Sequence, residues 1–141
     1  MENLKIQALE KHLECEASDI KEDGIYFYLG NQEYMILTDE EADEVVEERI
    51  SNDIWAFRAS FILSECGLPL ELEEGIQAMQ EKKCEDANDA LLRMVEKTCG
   101  LKSFVEAAVS ADGRGHFLSG YDGEEVEVRF EGETFYIYRL N

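Results

Sequence analysis

"GIYFYLGNQEYMIL", residues 24–37, decides the fold. Two apolar and aromatic runs flank Gly30-Asn31-Gln32, a pattern that predicts a tight β-hairpin rather than a helix. A counterpart lies at the other end of the chain, where "EEVEVRF" (124–130) and "TFYIYRL" (134–140) are joined at Glu131-Gly132-Glu133. Between the two the period becomes helical. From Ala42 the apolar positions Val46, Ile50, Ile54, Phe57 and Phe61 recur every three or four residues, predicting one buried stripe to about Glu65, with Ser51-Asn52-Asp53 able to interrupt it as a second N-cap. Gly67 should stop this helix and Pro69 start the next, "PLELEEGIQAMQEKK". Further helices are predicted over Asp86–Lys97, ended by Gly100, and Leu101–Ser110. Upstream, Leu4, Ile6, Leu9 and Leu13 predict a short amphipathic helix. The predicted architecture is a single α+β domain over 1–141: a hairpin near each end sharing an antiparallel sheet, a central block of about four helices and a short N-terminal helix.

A 45% hydrophobic content is enough for a core, so an acidic disordered tail is the wrong picture. With 33 acidic against 13 basic residues, the formal net charge is -20. That field repels nucleic acid and phospholipid and attracts basic surfaces, so neither a nucleic acid nor a membrane is an expected direct partner. No apolar run approaches the roughly 20 residues of a membrane span. Cys15, Cys66, Cys84 and Cys99 form no C-x-x-C pair and follow no leader-like segment, which reads as four reduced thiols in a cytosol.

"TDEEADEVVEERI", residues 38–50, puts seven carboxylates into the ten positions from Asp39 to Glu48. Thr38 and Glu41 have the spacing of a capping box, and Asp39 and Glu40 sit where the helix dipole favours negative charge. Asp43, Glu44, Glu47 and Glu48 lie beyond the first turn with Arg49 as the only neighbouring cation in sequence, so local stability does not explain them. The run carries about one charge per 2 Å of helix axis. Duplex DNA carries one per roughly 1.7 Å.

"ADGRGHFLSGYDGEE", residues 111–125, reads as a folded crossover loop in which Gly113, Gly115, Gly120 and Gly123 supply positive φ and Arg114 neutralises nearby acids. A metal site here would use Asp112, His116 and Asp122; catalysis would use His116 as base with Ser119 or Asp122. Neither has supporting ligand spacing or a nucleophile motif, so no catalytic residue, metal or cofactor is expected. The stretch can also serve as a docking surface. On the strands, Tyr26, Tyr28, Tyr136 and Tyr138 alternate with apolar residues and share a face if the hairpins are neighbours. Such a face more often packs than lies open, and Trp55 and Phe57 are read as core or core edge.

The segments "YMILTDEEADE", "WAF", "ADGRGHFLSGYDGEE" and "FYIYRLN" resemble a family of small acidic proteins carried by tailed bacteriophages and other bacterial mobile elements. The resemblance covers the middle and C-terminal parts of the chain and fades over the first twenty residues; no catalytic residues are carried over from it. It implies a phage or prophage gene expressed in a bacterial cytoplasm, where small acidic proteins are often counter-defence factors, including DNA mimics. The expected function is an anti-CRISPR-type, non-enzymatic inhibitor docking on the basic channel of a defence nuclease through Asp39, Glu40, Glu41, Asp43, Glu44, Glu47 and Glu48. The alternative is a phage adaptor that binds another protein through Arg114, His116, Asp122 and the tyrosine face, with acidity serving solubility. A small enzyme centred on His116 ranks last.

Overall fold

The computed structural model describes residues 2–141. The chain forms two compact units, one comprising the residues up to Val46 with Asp112–Asn141, the other Glu47–Ala111. Among the described residues no helix is long and apolar enough to cross a membrane.

The first unit is built on β1 (Ile20–Asp23), β2 (Tyr26–Leu29), β3 (Gln32–Leu37), β4 (Val126–Phe130) and β5 (Glu133–Arg139). They form one antiparallel sheet in the order β1-β2-β3-β5-β4. The two predicted hairpins therefore share a sheet, joined where Tyr34 pairs with Arg139 and Leu37 with Tyr136. Each turn is two residues long. Gly30 has φ 62°, and Glu131 and Gly132 have φ 52° and 78°, the double positive φ that matches the twist of a two-residue hairpin. Strand β1 is absent from the sequence reading. Its residues "IKED" bury only Ile20 and show no alternation, so pairing with β2 across Gly24, not composition, makes them a strand.

Helix α1 (Glu2–Leu13) lays Ala8 and Leu9 on one face of the sheet, against Ile20, Phe27, Tyr34, Ile36, Val128, Phe135 and Ile137. Fully burying a side chain the size of Phe27, Phe135 or Leu9 stabilises by roughly 1.5–3 kcal/mol, so this packing, rather than intrinsic helix propensity, holds the N-terminal helix. The register puts Tyr26, Tyr28, Met35, Leu37, Tyr136 and Tyr138 on the opposite face, so the four tyrosines do share a side. Tyr138, Met35 and Leu37 are fully buried and Tyr26, Tyr28 and Tyr136 half-buried. The face is packed, not an open aromatic platform.

Helix α2 (Asp39–Asn52) begins in the first unit and ends in the second. The second unit continues with α3 (Ala59–Cys66), α4 (Glu73–Glu81), α5 (Glu85–Lys97) and α6 (Leu101–Asp112), with three-residue 3-10 turns at Ile54–Ala56 and Leu70–Leu72. The predicted stripe from Ala42 to Glu65 is broken at Asp53, which sits outside the helical region at φ -125°, ψ 29°. Buried Asn88 fixes the break: its Nδ2 donates to Ser51 O at 3.0 Å and its Oδ1 accepts from the Trp55 amide at 3.2 Å. Ser51 and Asn52 belong to α2, while Asp53 stands at the N-cap of the 3-10 turn that follows, with no side-chain capping bond. Gly67 ends α3 in the left-handed conformation at φ 69°, as expected, but Pro69 leads into a 3-10 turn before α4 begins. Phe57, Phe61 and Phe104 interlock with ring centroids 5.2–5.7 Å apart.

Candidate functional site

The acidic run folds as the capping chemistry dictates. Thr38 Oγ1 accepts from the Glu41 amide at 3.3 Å, and Glu41 Oε1 accepts from the Thr38 amide at 2.9 Å. Glu41 Oε1 also receives Lys5 Nζ of α1 at 3.0 Å. Partial burial would raise the Glu41 carboxyl, but the Thr38 amide and Lys5 outweigh it and hold the group below its ordinary range. Thr38→Ala should therefore destabilise the protein by about 1 kcal/mol and Thr38→Ser by a few tenths, measured by urea unfolding.

The glycine-rich segment is not a crossover loop. Residues Arg114–Leu118 form a short helix, α7, entered through Gly113 at φ 86°. Gly123 also has positive φ, whereas Gly115 and Gly120 do not. Those two instead stand close to neighbouring backbone, Gly115 too close for any Cβ. A Cβ on Gly115 would stand 2.5 Å from Gly123 O and 2.7 Å from Glu124 C, and one on Gly120 would stand 3.0 Å from Leu140 O.

Helix α7 aims Arg114 at α2. Its Nη1 lies 2.9 Å from both Asp39 Oδ1 and Asp43 Oδ1, and its Nε donates to Glu125 Oε1 at 2.8 Å. The guanidinium sits over the Tyr136 ring, 4.7 Å from its centroid, and the Arg114 side chain is only 10% exposed. Burial alone would lower its pKa; the carboxylate contacts, led by Glu125, more than reverse that. Glu125 also accepts from the Tyr138 hydroxyl, and burial together with this carboxylate pushes the phenol well above its ordinary range. Arg114 thus neutralises acids, as one sequence reading had it, and with Lys5 it is a cation for the run that neighbouring sequence does not supply. The tertiary partners Lys5, Glu125 and Tyr136 are invisible to a local reading, because they come from α1, the segment before β4, and β5 itself.

Once Asp39, Glu41 and Asp43 are engaged, Glu40, Glu44, Glu47 and Glu48 remain exposed. At about 100° per residue they fall within roughly a 100° arc of the continuous helix α2, on the side away from buried Ala42, Val46 and Ile50. From Glu40 to Glu48 the axis rises about 12 Å, so the row carries one charge per roughly 3–4 Å.

The remaining predicted residues do not assemble. His116 is exposed and its ring meets Phe117 edge-on, with centroids 4.9 Å apart. The buried Ser119 Oγ lies 2.9 Å from Asp122 Oδ1 and 2.7 Å from Arg139 O, so its hydroxyl closes a turn. Asp122 accepts from the Glu124 amide and from Ser119, which holds its carboxyl below the usual range. Among the described residues no three His, Cys, Asp or Glu side chains converge as metal ligands, and the four cysteines are free thiols. A hollow of about 160 Å³ that the sequence did not suggest is lined by His12, Tyr34, Tyr121, Asp122, Glu124 and Arg139 among others. Arg139 is already stacked on Tyr121, 3.6 Å from the ring centroid. No protein-family model matches the chain, and neither a curated protein nor a solved structure matches it.

Proposed function

We propose that the protein is a non-enzymatic, phage-encoded counter-defence inhibitor of the anti-CRISPR kind, whose α2 carboxylates stand in for phosphates in the Lys/Arg-lined channel of a defence nuclease. The observation that carries this reading is the exposed row Glu40, Glu44, Glu47 and Glu48, left over after the fold has used the other three acids of the run. Its spacing is close to the roughly 3.4 Å per charge of a single strand within duplex DNA. The setting comes from the resemblance to phage proteins, and the chain's net charge of -20 favours a cationic partner over a nucleic acid.

The test is Glu44→Lys/Glu47→Lys/Glu48→Lys. These positions are exposed, so circular dichroism should show an unchanged fold. Inhibition of a CRISPR effector nuclease that the wild type inhibits should fall by about a hundredfold, and wild-type affinity should fall at least about tenfold between about 50 and 200 mM salt. Full inhibition by the folded variant excludes this row from the mechanism. Loss of inhibition only on His116→Ala, which is exposed and bonded to no acid of the run, supports the adaptor reading instead.

A further inference from the structure

Among the described residues the chain leaves three large hydrophobic side chains exposed, Leu70 at 59%, Tyr121 at 55% and Leu72 at 47%. Tyr121 lies under the Arg139 guanidinium. The two leucines stand two residues apart on one 3-10 turn, and the turn is held in place. It is entered through Pro69 at φ -64°, the Leu72 amide donates to Pro69 O at 3.1 Å, the Leu68 amide donates to Leu63 O at 2.9 Å, and α3 and α4 both pack against it. A helix running from Pro69 would put Leu72 on the same face as buried Ile76, four residues on; α4 begins only at Glu73, and the leucine is left out. The surroundings are acidic: Glu71 and Glu74 are exposed, and half-buried Glu73 accepts from Gln77 Nε2 at 3.3 Å.

We propose that Leu70 and Leu72 are the apolar anchor of the nuclease contact, seated in an apolar pocket that the nuclease rims with lysine or arginine. This rests on the inhibitor reading and adds what the α2 row lacks. Carboxylates alone hold any basic surface and release it as salt rises, whereas apolar contacts resist salt and select a surface that has a pocket. Charge complementarity names the occupant. Glu71 lies between the leucines in sequence and Glu74 just beyond them, so the matching rim is cationic, like the channel that the row calls for. Glu47 and Glu48 of that row belong to the same unit as the turn. A second copy of the chain is a poor occupant. Two leucines cover far less than the roughly 800 Å² per partner of a stable interface, and pairing the patch with itself brings the Glu71 and Glu74 carboxylates of both copies together. A turn already held before binding also avoids an ordering cost.

The test measures affinity for a CRISPR effector nuclease that the wild type inhibits. Leu70→Ser/Leu72→Ser should bind about a hundredfold more weakly, about tenfold for each leucine no longer buried, and keep the wild-type salt dependence. Glu44→Lys/Glu47→Lys/Glu48→Lys should instead flatten that dependence. The serine variant should melt within about 3 °C of the wild type, since neither leucine belongs to the core, and Leu70→Gln/Leu72→Gln, closer in bulk, should behave alike. Wild-type affinity in either folded variant overturns the anchor and leaves the inhibitor reading standing; a wild type that inhibits no such nuclease ends both. Melting lowered by about 10 °C or more in both variants would assign the leucines to the fold. A wild-type dimer in sedimentation that either variant splits would assign them to a second copy, and each of these results would overturn the proposal.

Discussion

Gly115→Ala should destabilise the protein by about 3 kcal/mol, lowering its urea midpoint with little change in the slope of the transition. The sign is what makes the result informative. Gly115 lies in helix α7 with no positive φ, so helix propensity alone predicts that alanine stabilises by up to about 1 kcal/mol. The space around it predicts the opposite. All three nearest atoms to an added Cβ are backbone, Gly123 O, Glu124 C and Glu125 N at 2.5, 2.7 and 2.8 Å, so no side chain can swing aside. Relief requires moving the chain before β4, which would pull Glu125 from Arg114 and from the Tyr138 hydroxyl. A stabilised alanine variant would show that this approach is loose enough to open without cost.

Arg114→Ala should cost a similar amount, about 2–4 kcal/mol by urea unfolding. Removing the guanidinium strands Glu125 beside a buried tyrosine, and breaking an ion pair of this kind costs more than the pair contributes when intact. The Asp39 and Asp43 side chains are 67% and 68% exposed, so water recovers most of what they lose, and the larger share belongs to Glu125 and the Tyr136 ring. Arg114→Lys should restore less than half. An ammonium cannot reach Glu125 from one edge and both aspartates from the other, as Nε and Nη1 do here. A loss below about 0.5 kcal/mol for the alanine variant would mean that the network behaves as separate surface pairs.

These two residues also mark where the sequence stopped being legible. The hairpins, the Thr38–Glu41 cap and the end of α3 at Gly67 are local events, written in turn chemistry and period, and they form where the pattern places them. The face shared by the four tyrosines follows as well, since register fixes it once the hairpins pair. Strand β1 did not show, because a four-residue edge strand needs no alternation when its neighbour supplies the pairing. The glycines at 115 and 120 looked like the glycines at 113 and 123, yet only a tertiary neighbour separates room from conformation. The acidic run shows the same limit: of the seven carboxylates counted along the sequence, three are paired with Lys5 and Arg114, which arrive from distant segments.

The sheet ends at β1 on one side and β4 on the other, and each of these leaves a line of backbone that no neighbouring strand takes up among the described residues. A second molecule could in principle continue the ladder there, and the composition of both margins works against it. Strand β1 is four residues long and three of them, Lys21, Glu22 and Asp23, are exposed and charged. On β4 the exposed positions are Glu127 and Arg129, and Lys11 reaches across to the carbonyl of Arg129 at 3.1 Å. Two copies meeting margin to margin would have to desolvate these charges and displace that lysine for a few main-chain hydrogen bonds. The charged margins thus disfavour edge-to-edge growth of an aromatic-rich sheet.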